Sequence, residues 1–376
     1  MHILIAPDSF KESLSAPQVA QALQNGFSQA LPDASFDLLP VGDGGEGTMA
    51  ALTSALGWTE FYHTVTGPFG QPVNMPYARN GQQALFEMAD LVGLASIPHE
   101  KRNPLAIETK GLGELILYLA EDGVRKILVG VGGSASNDGG IGLAAGLGYE
   151  FFDENNHRLR PIGSSLGRVA RISAERVPTC LDDIDIEILT DVSSPLCGQQ
   201  GATQVFGRQK GLSEWLLSSV DQEVRNFYEL ANPQTFTQAG AGAGGGMAAG
   251  LVTFAKGKVV SGIDTCLDLL DYDHRVKKAD LVVVGEGRMD KQSLSGKAPV
   301  GVARRTPKEI PVLAICGSLA ADLPPFPREN IQAAFPIISQ VADLDETLAQ
   351  ARENLVRTAR NIGNLLAIKK RLGQKS

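Results

Sequence analysis

The densest chemistry in this 376-residue chain lies in residues 279–299. A short apolar run, 281–284, stops at Gly285 and is followed by Glu286, Gly287, Arg288, Asp290, Lys291, Gln292 and Lys297. Such a run, β-branched and aliphatic without polar alternation, reads as a strand covered on both faces. Strands of that kind deliver functional residues at their carboxyl ends, and Gly285 and Gly287 allow backbone angles and approaches that a Cβ forbids. Cations neutralise phosphate and carboxylates take Mg²⁺ through oxygen, so both signs of charge in one loop suit a polyanion held with a metal ion. A solvated surface turn is the alternative, because charge runs are commonly just wet.

Four other strand-like runs end in the same manner. Residues 2–6 lead to Asp8, Ser9 and Lys11, and 36–41 lead to Asp43, Gly44, Gly45 and Glu46. Residues 126–131 run into 132–142, which contains Gly133, Ser134, Ser136, Asn137 and Asp138 and opens a small-residue helix, while 185–189 lead to Asp191. The stretch 132–142 is the strongest anion-loop candidate, because backbone N–H groups at a glycine-rich helix start point at phosphate oxygens and Ser134, Ser136 and Asn137 add neutral donors. Its alternative is a helix packed close to a sheet, with Gly and Ala serving contact alone. Asp191 is either a functional carboxylate or a turn former. Arg208 and Lys210 stand beside glycines in 201–211, and the glycine run 240–246 follows no strand, so it reads equally as a hinge or a rim.

The elements that must position these loops alternate strand with helix. Ser15 with Gln18 makes a capping box for a first helix in which Pro17 occupies the first turn. Thr109 caps a helix over 109–122, and a long amphipathic helix with one stutter is predicted over about 343–372. The pattern predicts an α/β protein of two domains: a flavodoxin- or Rossmann-like parallel-sheet domain from both chain ends (1–60 plus 275–376), and an inserted α/β domain (61–274) carrying the glycine-rich loops. A ligand is expected in the cleft between them.

The composition is 43% apolar and 20% charged, ordinary for a globular protein, and the 42 glycines cluster between apolar runs without period. The net charge of −8 argues against a general nucleic-acid or anionic-membrane surface, so an anionic ligand must be held by local cations. Four dispersed cysteines and five histidines give neither a zinc site nor a disulfide framework. With no signal-like amino terminus and no long apolar segment, a cytoplasmic protein is expected.

None of the glycine runs is a Walker A loop: Gly296-Lys297 is followed by Ala298, and Lys291 stands where a glycine is required. No GxGxxG or GxSxG spacing is present, which makes a nicotinamide oxidoreductase or a serine hydrolase a poor reading. The chain resembles the bacterial glycerate kinase family of the class I type over essentially its whole length. The matching stretches are 6–11, 43–47, 130–140, 201–211 and 285–299, in the family's order. The resemblance implies ATP-dependent phosphorylation of D-glycerate, on the 2-hydroxyl, with Mg²⁺, and a discontinuous two-domain fold. One departure is Ser194 before Pro195-Leu196, where the family usually has Asn; serine keeps an oxygen but lacks the amide donor.

On that basis residues 132–140 are assigned to cradle the ATP phosphates, and Lys11, Arg288 and Lys297 to anchor the glycerate carboxylate or γ-phosphate. Asp191 is the first candidate for base or metal carboxylate; Asp43, Glu46 and Asp290 are the further Mg²⁺ candidates. Asp8, Ser9, Gly44, Gly45, Gly133, Ser134, Ser136, Asn137, Asp138, Gly285, Gly287 and Gln292 complete the expected substrate- and phosphate-binding set. The competing readings are a kinase of another small hydroxy acid and a non-catalytic small-acid sensor.

Overall fold

The computed structural model describes residues 1–373. The chain divides into two compact units, one of residues 1–43, 50–57 and 263–376 and one of residues 44–49 and 58–262. Relative to the expected division, residues 263–274 join the first unit, and 44–49 and 58–60 join the second. Strand Thr59–Thr66 begins just after the short return of the chain through the first unit.

The first unit is built on a five-stranded, wholly parallel sheet. Its strands lie in the order Ile331–Pro336, Val312–Cys316, Leu281–Gly285, His2–Pro7, Ser35–Leu38. Taken in chain order within this unit, that is the flavodoxin-like arrangement 2-1-3-4-5, which reverses direction between His2–Pro7 and Leu281–Gly285. Ile3, Ile5, Leu281, Val283 and Ile315 share one face by the period-2 rule, and they pack with Val19, Leu23 and Phe27 of helix Ala16–Ala30 and with Leu355, Ala359 and Ile362 of helix Ala351–Gly373. Helix Ala298–Arg305 packs against the same two central strands. Burial of Val282 and Val284 together with Leu281 and Val283 explains why this run shows no polar alternation.

Local sequence accounts for the ends of these helices. Gln18 Oε1 accepts a hydrogen bond from Ser15 N at 2.9 Å, as the capping box predicts. Asp343 accepts from Glu346 N at 2.8 Å and starts helix Leu344–Ala349. That helix stops at Gln350, where φ is −86° and ψ is 0°, so the predicted single long helix is two, and the stutter marks the break.

The second unit holds a mixed six-stranded sheet in the order Lys258–Val260, Asp185–Leu189, Lys126–Gly130, Gln83–Glu87, Pro72–Asn80, Thr59–Thr66. The first four strands are parallel and the last two are joined antiparallel. Helix Lys110–Glu121 buries Leu112, Leu115, Ile116 and Leu119, the stripe expected from spacing. Its predicted cap, Thr109, instead turns its hydroxyl to Asp138 Oδ2 at 2.6 Å and accepts from Leu143 N. Among the described residues no helix is long and apolar enough to cross a membrane.

Helices Ala16–Ala30 and Ala351–Gly373 approach so closely at Gly26 that a Cβ there would stand 2.3 Å from Val356 O and 2.7 Å from Ala359 Cβ. Gly26→Val is therefore expected to destabilise the first unit by about 1–3 kcal/mol. A lowered thermal midpoint, followed by circular dichroism, is the measurement, and an unchanged midpoint would contradict this packing.

Candidate active site

The carboxyl ends of the two central strands of the first unit open a cleft of about 570 Å³. Asp8 N donates to Gly285 O at 2.8 Å, so strand pairing continues one step past His2–Pro7 and fixes the start of the loop. A Cβ on Gly285 would meet Ile315 O at 2.2 Å, which explains the glycine at this strand end. Short strands Arg288–Met289 and Ser318–Leu319 then pair in parallel, with Gly317 N donating to Glu286 O at 3.0 Å, and hold the 285–290 loop against its neighbour. Asp8, Ser9, Lys11, Asp43, Gly287, Arg288, Asp290 and Lys297, all named from sequence, line this one cleft together with Glu286.

Its electrostatics are those of crowded acids. Burial, with Asp43 and Glu286 adding repulsion, holds the Asp8 carboxyl well above the usual range. Burial also pushes Glu286 up to about 7, with repulsion from Asp290 and Asp43 opposed by the Ser293 hydroxyl and the Lys297 ammonium. Glu286 Oε1 is buried and, among the described residues, has no hydrogen-bond partner. Asp290 Oδ1 is occupied by Gln292 N and Ser293 N at 2.9 and 3.0 Å, an arrangement that leaves Gln292 exposed and outside the cleft lining. Glu286 stood in the sequence motif without an assigned role. The signal was its place as the first charge after a doubly covered strand.

The second unit gathers the remaining candidates. Gly44 N donates to Thr48 Oγ1, Gly132 N donates to Gly44 O, and a Cβ on Gly44, whose φ is +84°, would stand 2.4 Å from Leu189 O. Gly45 packs as closely, since a Cβ on Gly132 would meet its Cα at 2.6 Å. Glu87 accepts from Gly47 N at 3.0 Å and Met49 N at 2.5 Å, yet burial and Asp90 push its carboxyl up to about 8. Glu46 is exposed. Asp191 Oδ1 accepts from Ser261 Oγ at 2.9 Å and Gly262 N at 3.0 Å, so part of its charge anchors the segment after Lys258–Val260.

The loop 132–140, expected to cradle the phosphates, turns most of its side chains inward. Ser134, Ser136, Asn137 and Asp138 are all buried, and Gly133 is the residue of this stretch that is exposed. Lys210 Nζ, itself buried, donates to Ser134 Oγ at 2.9 Å and to Ser136 O at 2.7 Å. Asp138 accepts from Thr109 Oγ1, Gly140 N and Gly142 N, and Asn137 Nδ2 donates to Thr203 Oγ1 at 3.0 Å. Gly139 N donates to Gly245 O, where φ is +73° and a Cβ would meet Ser136 O at 2.3 Å. Lys210 and Thr203 of 201–211 and Gly245 of 240–246 thus bond this loop from inside, while Ser136 Oγ and Asn137 Oδ1 stay buried without a hydrogen-bond partner among the described residues. Those two stretches thereby acquire a role that sequence left open. The helix that follows, Ile141–Gly146, has only six residues. Burial lowers the Lys210 ammonium to about 7 against the attraction of Asp138.

With both clusters placed, comparison with known proteins decides the family. The sequence model of the glycerate kinase family matches residues 3–367. The chain belongs to the glycerate kinase family. It is 56% identical to a glycerate kinase of Neisseria meningitidis serogroup B over 98% of this chain and 100% of that one. It is 40% identical to glycerate 2-kinase of Escherichia coli K12, covering 98% of each. A Salmonella typhimurium LT2 crystal structure assigned as a glycerate kinase 2 superposes with a TM-score of 0.84 at 38% identity, covering 99% of both chains. For a glycerate kinase family member, a two-domain α/β fold with parallel sheets agrees with the reading from sequence.

Two substitutions test this geometry. Lys210→Met leaves Ser134 Oγ and Ser136 O without their donor, and a loss of about 1–3 kcal/mol is expected, read as a lower unfolding midpoint. Glu286 has a folded value of about 7 against an ordinary 4.5. Its contribution to stability is therefore fully present below pH 4.5 and is lost as pH rises through 7. Glu286→Gln should gain stability over the wild type at pH 8 and not at pH 4.5, measured by denaturant unfolding at the two pH values.

Proposed function

We infer that the protein transfers the γ-phosphoryl group of ATP to the 2-hydroxyl of (R)-glycerate, giving 2-phosphoglycerate and ADP. The observation that carries this reading is the convergence of Lys11, Arg288 and Lys297 with the carboxylates of Asp8, Asp43, Glu286 and Asp290 at the switch point of a flavodoxin-like sheet, in a chain of the glycerate kinase family. Phosphoryl transfer asks a protein chiefly for positioning and charge stabilisation, and this cleft has cations for both. Lys11, Arg288 and Lys297 hold phosphate oxygens and offset the charge that builds in the transition state, Arg288 through its planar fork and the lysines as point charges. The 2-hydroxyl oxygen attacks the γ-phosphorus, the bond to the β-phosphate oxygen breaks, and the hydroxyl proton passes to a carboxylate. Glu286, with a value of about 7, is matched to that proton at neutral pH, and Asp191 is the second candidate.

The acidic set fits Mg²⁺. Among the described residues no three acidic, histidine or cysteine side chains are grouped to enclose a cation alone. Asp43 and Asp290, with the unpartnered Glu286 Oε1 beside them in the cleft, offer hard oxygens of the kind Mg²⁺ takes one or two at a time, with phosphate and water completing its shell. When bound there, the ion supplies further neutralisation of the phosphates. ATP as donor is consistent with a cytoplasmic enzyme.

A coupled ADP-release assay with Mg-ATP and D-glycerate, beside L-glycerate and glycerol, tests the reading. Turnover with D-glycerate and a 2-phosphate by phosphorus NMR are expected, and Lys11→Ala and Asp191→Asn should each lower turnover by about 10²-fold. Folded protein that releases no ADP with glycerate would overturn it, and a 3-phosphate would correct the acceptor oxygen.

A further inference from the structure

We propose that the cleft of the first unit is a nucleotide subsite in which an aliphatic wall formed by Ile337, Ile338, Leu344 and Leu348 receives the purine ring while the charged loops hold the phosphates. The proposal rests on the kinase reading for the identity of the nucleotide, and it assigns the base, which nothing in the charged loops does.

Three observations lead to it. The first is size: at about 570 Å³ the cleft falls in the range of sites that enclose drug-sized ligands, far more than a three-carbon acid fills. The second is the separation of polar from apolar lining by the sheet itself. Asp8, Lys11, Arg288 and Lys297 come from the loops after His2–Pro7 and Leu281–Gly285, whereas Ile337 and Ile338 follow Ile331–Pro336 at the sheet edge. Leu281–Gly285 and that edge strand are two strand spacings apart, about 10 Å, which a ribose and the α-phosphate can bridge. Glycerate has no apolar group to place on the edge-strand side, and the nucleobase is the one flat apolar moiety among the reactants. Leu344 is 66% and Ile338 46% exposed, large aliphatic side chains at a cleft rim with little protein against them.

The third observation is a buried amide. Asn354 lines the cleft and is 4% exposed, and its Oδ1 accepts from Ser339 Oγ at 3.3 Å. Among the described residues its Nδ2 has no hydrogen-bond partner, so what it offers the cleft is a donor. A donor at this place suits the acceptor nitrogens of a purine ring and so can fix its orientation against the aliphatic wall.

The test measures ADP binding by calorimetry and ATP and glycerate kinetics for wild type, Leu348→Asp, Leu344→Asp and Asn354→Asp. Leu344→Asp alters an exposed rim residue and guards against loss of fold in the others. The two leucine variants are expected to weaken ADP binding and raise the KM for ATP at least tenfold, with the KM for glycerate within threefold of wild type. Asn354→Asp, which removes the donor, should weaken ADP binding at least tenfold. Folded leucine variants that bind ADP as wild type does would overturn the subsite while glycerate turnover by the wild type left the kinase reading standing. ADP binding that the leucine variants weaken, in a wild type without glycerate turnover, would support the subsite and overturn glycerate as the acceptor.

Discussion

Everything at the candidate site depends on one parallel pairing, that of Ile3 through Pro7 with Leu281 through Gly285. The pair is buried on both faces, so its register is held by packing from above and below as well as by its own hydrogen bonds. Because the strands run in the same direction, both release their loops at the same end of the sheet, and Lys11 meets Arg288 and Lys297 although the chain between them contains nearly the whole second unit. A sheet order that reverses between these two strands leaves no helix crossing over their ends, and that gap is the cleft.

Within the cleft, burial and charge oppose each other. Asp8 and Glu286 would be ordinary ionised acids in water, and the buried setting favours their protonated forms. Lys11 and Lys297 offset that preference without reversing it, and a bound cation would favour the ionised forms further, which couples the protonation of the site to its occupancy. The second unit solves its own polar burial differently. Lys210, Thr109 and Thr203 are donors brought to the 134–138 segment, so that acids and amides that would be costly to bury become the frame of a fixed loop.

The flavodoxin-like half was legible in the sequence because its strands are continuous apolar runs that end abruptly in glycine and charge. The capping box at Ser15 was legible because it is purely local. Strands Thr59–Thr66 and Pro72–Asn80 were not, since most of the first is exposed and Pro76 within the second reads as a breaker although it pairs with Tyr62. The glycine-rich loop 132–140 was located correctly, but the fate of its side chains was set by Lys210, more than seventy positions away, and no local rule reports a partner at that separation. Glu286 was visible as a charge; its missing hydrogen-bond partner is a property of the packed state alone.

The same central pairing constrains the order in which the protein can be made. His2 N reaches Asp280, 278 positions along the chain, so the first strand leaves the ribosome long before its principal neighbour exists. At a synthesis rate of about 5–20 residues per second, Ile3, Leu4 and Ile5 wait on the order of 10–60 s with only the edge strand Ser35–Leu38 to pair with. The second unit is complete by residue 262 and can close its own core in that interval. The order of synthesis thus lets the inserted unit fold first, and a folded insert shortens the loop that the terminal strands must close, which lowers the entropy cost of bringing the two halves of the flavodoxin-like sheet together.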